Sequence, residues 1–76
     1  MLTFKNYRIQ SRQSGKAYVT AECEQAPGLE AYAFVPFKPG EPDGVLFARA
    51  ADTLAEPEAQ ARMAGSTMLW HFQHAA

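Results

Sequence analysis

The chain has 76 residues, is 47% hydrophobic and 20% charged, and carries a formal net charge of −1. That balance excludes a disordered polymer, the lone Cys23 excludes an internal disulfide, and no stretch approaches the roughly 20 apolar residues of a membrane-spanning helix. One domain, residues 1–76, is expected, close to the size below which one apolar core struggles against chain entropy, so self-association enters as a serious possibility.

Residues 2–12 read as a first strand. Tyr7, Ile9 and Ser11 share one parity while Leu2 and Phe4 fall on the other, so a bulge near Lys5 and Asn6 is predicted to bring both sets to one face. The turn "QSGK" follows. A two-residue loop at Ser14 and Gly15 sets Ile9 opposite Thr20, so register argues for a three-residue loop with Gly15 left-handed. Residues 16–24, "KAYVTAECE", alternate strictly, with Ala17, Val19, Ala21 and Cys23 on the apolar side. "QAPG" offers Pro27 and Gly28 for a tight turn. Residues 29–37 repeat the alternation, and Pro36, lacking an N–H, belongs where the ladder ends.

Beyond the loop "KPGEPDG", the segment "VLFARA" reads as a short fourth strand, with a helix start as the alternative. A helix is then expected from about Thr53 or Glu56 to the chain end, since Thr53 and Glu56 have capping-box spacing and Pro57 suits a first turn. The predicted fold is α+β: a three- to four-stranded antiparallel meander with one C-terminal helix packed on one face.

On that helix, Ala61, Ala64, Gly65, Met68, Leu69 and Phe72 gather on one side, and Met63, Thr67, Trp70 and His74 on nearly the opposite side. A helix on one sheet needs one such stripe. The sheet shows a matching surplus: setting Ala21 against Ala31 places Tyr18 across from Phe34 and Thr20 across from Tyr32, with Arg8 and Arg12 nearby. Aromatic rings beside arginines on an uncovered face have the composition of an interface core, unless the segment around Val45–Phe47 folds over them.

These surpluses lead to a non-enzymatic protein-interaction module, either a homodimer or an adaptor or inhibitor docking on a larger protein. Compact accessory proteins of phages and mobile elements have this general size and build, an analogy of fold alone. The expected partner-binding residues are Met63, Trp70 and His74, then Tyr18, Tyr32 and Phe34. The alternative is single-stranded nucleic acid held by the hairpin that carries Lys5, Arg8, Arg12 and Lys16 beside Tyr7 and Tyr18. Residues 1–21 hold those four cations and no acid, whereas residues 22–76 hold eight acids against Lys38, Arg49 and Arg62.

No cofactor, metal or small-molecule substrate is expected. His71 and His74 are three residues apart, yet only Cys23 and scattered carboxylates are there to complete a metal site. Cys23 lies in the apolar register of a strand, where a thiol is an inert core group. The N-terminal "MLTFKNYRIQ" lacks the apolar core of a signal peptide, and with the unpaired cysteine it points to a soluble, cytoplasmic protein.

Overall fold

The structure, a computed structural model, describes residues 1–65 and 70–74. Three strands come first: β1 (Phe4–Gln13), β2 (Lys16–Cys23) and β3 (Glu30–Pro36). Helices α1 (Asp43–Ala55) and α2 (Pro57–Ala64) follow, and strand β4 (Trp70–Gln73) completes the order. The sheet runs β1-β2-β3-β4, antiparallel except that β4 lies parallel to β3. The α+β class therefore holds, but the all-antiparallel meander with one terminal helix does not. A parallel neighbour cannot be reached by a tight turn, so the chain must first return along the sheet, and α1 and α2 make that return.

The hairpin between β1 and β2 departs from expectation in an instructive way. Its loop has two residues, Ser14 and Gly15, with φ of 52° and 77°, the paired positive angles of a type I′ turn. Parity is restored elsewhere. One register shift lies between Lys5 and Arg8, where Asn6 has φ 54°, and a second lies between Ile9 and Ser11. Together they set both Phe4 and Ile9 against the apolar register of β2, opposite Cys23 and Val19. The β2–β3 turn has Gly28 at φ 91°, and β3 ends at Pro36.

"VLFARA" belongs to α1, not to a strand. The segment is rich in alanine, the best helix former, and Leu46, Ala50, Thr53 and Leu54 form one buried stripe at helical spacing. The expected capping box is absent, because Thr53 lies inside α1 and is 1% exposed. Its hydroxyl lies 3.0 Å from the Arg49 carbonyl and shares a hydrogen bond of 2.6 Å with His74 Nδ1. Pro57 ends α1 and opens α2: the residue before a proline is driven out of helical conformation, and Glu56 sits at φ −62°, ψ 139°. Proline is then tolerated at the first position of the next helix. Within α2, Ala59 and Met63 are buried one turn apart.

The expected terminal helix gives way to β4, in which Trp70 and Phe72 are buried and His71 and Gln73 exposed. Thr67, Met68 and Leu69, assigned above to the helix stripes, lie outside the described residues. Trp70 stands beside Ala31 and Phe72 beside Ala33, so large rings fill the space next to the small residues of β3. The core divides along α1. Leu46 and Ala50 cover Ala17, Val19, Ala33 and Val35, while Leu54, Ala59 and Met63 join Trp70 and Phe72 over Ala21, Cys23 and Ala31. Gln60 ties the N-terminal segment to this layer, accepting from the Leu2 N–H at 2.7 Å and donating to the carbonyls of Leu2 and Leu54 at 3.0 and 2.8 Å. Among the described residues, no helix is long and apolar enough to cross a membrane.

The loop before α1 is fixed by charge. Arg49 donates to both carboxylate oxygens of Glu41, at 2.9 and 2.5 Å, and to the Pro36 carbonyl at 2.7 Å, while Glu41 also accepts from the Lys38 N–H. The Arg49 bonds, then the Lys38 amide, lower the Glu41 carboxyl from its ordinary 4.5 to about 2. A carboxyl held lower in the folded than in the unfolded chain adds stability above its unfolded value and loses it as pH falls through the folded one. The urea midpoint is therefore expected to fall between pH 4.5 and about 2, and to fall less in Glu41→Gln. Identical acid sensitivity in the two proteins contradicts this assignment.

Candidate interaction face

Strand alternation sends one set of side chains to the helices and the other to the open side of the sheet. On the open side, β2 presents Lys16, Tyr18, Thr20 and Glu22; β3 presents Glu30, Tyr32 and Phe34; β4 presents His71 and Gln73. Register sets these in rows. Tyr18 pairs with Phe34, which neighbours Gln73, and Thr20 pairs with Tyr32, which neighbours His71. Neither helix packs there, because both lie over the alanine-rich side.

The rings touch in a row, Phe34–Tyr18–Tyr32–His71, with centroids 4.5, 5.3 and 4.9 Å apart. Phe34 is stacked on Tyr18 and His71 on Tyr32, with planes 14° and 26° apart. Aromatic pairs of this kind hold one another in place beyond the area they bury. The row is half-shielded by its own members, and Phe34 is 40% exposed, a high value for so large an apolar side chain. Beneath the rings Thr20 is 1% exposed, and its hydroxyl accepts from Gln10 Nε2 at 3.1 Å.

Charged groups frame the rings. Arg8 pairs with Glu30 at 3.1 Å, and Asn6 donates to Glu22 at 2.8 Å. Burial raises the Tyr18 hydroxyl above its ordinary value, with Tyr32 adding to the effect. Tyr32 is raised by burial and then by the Glu30 carboxylate, against an opposing pull from Arg8. Tyr7, packed on the helix side against Phe47, is raised by burial and then by Glu24.

Of the residues singled out from sequence, Tyr18, Tyr32 and Phe34 come together on this face, with Arg8 beside them. Arg12 does not. The bulge between Ile9 and Ser11 turns it opposite Ala17, and it pairs with Asp43 at the start of α1. Met63 and Trp70 are 1% and 5% exposed, so their bulk is spent within the protein's own core. His74 closes the end of β4: its N–H donates to the Phe34 carbonyl at 2.8 Å and its ring meets Thr53. His71, in contrast, stands on the open face with Nδ1 3.4 Å from the Tyr18 hydroxyl, so the two histidines do not converge. Its place in the ring row was signalled only by the alternation of "WHFQ". Cys23 is buried, its thiol donating to Gln25 Oε1 at 3.8 Å.

Raised phenols carry a sign that can be checked. A group whose folded pKa lies above its unfolded one contributes stability below the unfolded value, and that contribution is lost as pH rises through the folded value. Ultraviolet titration of the folded protein is therefore expected to show all three tyrosines ionising above 10.0, with stability falling in the same window. Ionisation of Tyr18 and Tyr32 at or below 10.0 contradicts the packed ring row. Comparisons of the chain with family models, with curated proteins and with solved structures find no match, so function has to be read from this face.

Proposed function

We propose that the protein is a non-enzymatic interaction module that docks another protein surface on the open face of its sheet. The observation that carries this reading is the ring row of Phe34, Tyr18, Tyr32 and His71, on which neither helix packs, since both serve the opposite side. Tyrosine is enriched among the few residues that dominate binding at protein interfaces, because a rigid ring buries much area for little lost freedom. A homodimer and an adaptor or inhibitor on a larger protein are both forms of this reading. The buried, unpaired Cys23 suits a reducing cytoplasmic setting.

Two observations favour a protein over single-stranded nucleic acid. Bases stack on free ring faces, whereas here Phe34 and Tyr18, and likewise Tyr32 and His71, already stack on each other. Sequence-independent strand binding also needs cations in excess, yet Arg8 is matched by Glu30 and Arg12 by Asp43. Lys5 stands opposite Glu22 in the β1–β2 register.

The test is affinity capture with the wild-type chain and Phe34→Glu side by side, plus titration with a labelled mixed-sequence oligonucleotide at low salt. Phe34 is 40% exposed yet stacks on Tyr18, so the substitution is expected to cost about 1–3 kcal/mol, and thermal unfolding of the variant is followed beside capture to show that it stays folded. The expected result is a protein ligand, a second copy included, that cross-links to the open face and is lost by the variant. Oligonucleotide binding that depends on Phe34, or capture indifferent to the substitution, contradicts the proposal.

A further inference from the structure

The sheet ends in β1 on one side and β4 on the other, and the two edges are built differently. β1 is interrupted by register shifts and carries Lys5, Arg8 and Arg12, the bulges and charges that keep an edge from pairing with another chain. β4 reads "WHFQ", in regular register, with neither a charged residue nor a proline. The His74 N–H donates to the Phe34 carbonyl at 2.8 Å. Backbone groups alternate in direction along a strand, so His71 and Gln73 aim their N–H and C=O away from β3. Among the described residues, no strand lies beyond them.

Beside that edge runs a groove of about 310 Å³, walled by Thr53, Glu56 and Ala59 on the helical side and by His71, Phe72 and Gln73 on the strand. Little apolar surface is left in it, since Ala59 is 5% and Phe72 8% exposed. Its free charge is negative. Glu58 at the rim is matched by Arg62 at 3.1 Å, whereas Glu56 forms no ion pair among the described residues.

We infer that β4 takes up an extended peptide segment of a partner protein as a further, antiparallel strand, with a lysine or arginine of that segment lodged in the groove against Glu56. The inference stands beside the open-face reading and does not rest on it. In strand addition the backbone bonds hold the segment and alternate side chains select it. Residues of the segment opposite His71 and Gln73 exchange N–H···O bonds with them and turn their side chains to the open face. The residue between, opposite Phe72, turns into the groove. A long basic side chain suits that place, because its stem lies over Ala59 and Phe72 while its charge reaches Glu56. An acidic one meets Glu56 and is rejected. With only four residues in β4, few backbone bonds form and the complex is weak.

The probe is a labelled decapeptide that alternates tyrosine with lysine, titrated to about 1 mM against the protein while amide exchange is followed by NMR. Saturable binding that slows exchange of the His71 and Gln73 amides is expected. Methylating the peptide's tyrosine nitrogens, which face β4, is expected to weaken binding at least about tenfold, whereas methylating its lysine nitrogens, which face away, changes it less than about twofold. Glu56 is exposed, so Glu56→Lys is expected to keep its thermal unfolding and to bind the peptide about tenfold more weakly. No binding, equal effects of the two methylations, or indifference to Glu56→Lys overturns the inference. Peptide binding that Phe34→Glu abolishes, with His71 and Gln73 exchanging as before, also overturns strand addition but leaves the open face as the docking site. Edge binding that persists in Phe34→Glu upholds the inference whatever that variant does to capture on the open face.

Discussion

The constraint on which the molecule depends is the smallness of one sheet face. Ala17, Ala21, Ala31 and Ala33 are all 0–2% exposed, and a sheet lined with methyl groups reaches native packing density only if bulky side chains approach closely. Leu46, Leu54 and Met63 arrive from above, on helices, while Trp70 and Phe72 arrive from the side, on β4. This division of labour requires the crossover. A helix over residues 70–73 could not place two large rings on a neighbouring strand beside Ala31 and Ala33.

The same arrangement decides what remains uncovered. Both crossover helices are committed to the alanine side, so the side chains of opposite parity on β2, β3 and β4 stay open. The lopsided charge of the chain resolves largely within the fold. Arg8 and Arg12 from the N-terminal strand meet Glu30 and Asp43 from later elements, and Arg49 fastens the loop that leads into α1. What survives on the open face is a ring row flanked by charges of both signs, which suits a protein surface better than a polyanion.

How far the sequence could be read follows from how strongly each signal is local. The alternation of residues 16–24 and 29–37 specified two strands, their register and the Tyr18, Tyr32 and Phe34 cluster, because a slip of one residue reverses every side chain. The bulge at Asn6 was legible from a parity conflict, and Asn tolerates positive φ. The second bulge, around Gln10, carries no such mark, so the parity problem was assigned to the turn and Arg12 to the wrong face. "VLFARA" is too short to distinguish the two periods, and only the longer spacing through Leu54 shows the helix. Residues 70–73 failed for a related reason: in a stretch rich in apolar residues a helical wheel always gathers stripes, and four alternating residues do not outweigh them. With a helix imposed, Trp70 and Met63 looked surplus and His71 lost its neighbours; as a strand, the segment sends Trp70 inward and His71 out to Tyr32.

The parallel pairing of β4 with β3 is thus the central structural claim, since it buries Trp70 and completes the ring row, with no described residue of either helix over the open face. Nuclear Overhauser contacts across this pairing test it most directly. Cross-strand backbone contacts between the segment around Tyr32 and that around His71, with slow exchange of the His74 amide bonded to the Phe34 carbonyl, are the result the account predicts. Sequential helical contacts through residues 70–73, with a fast-exchanging His74 amide, would contradict it.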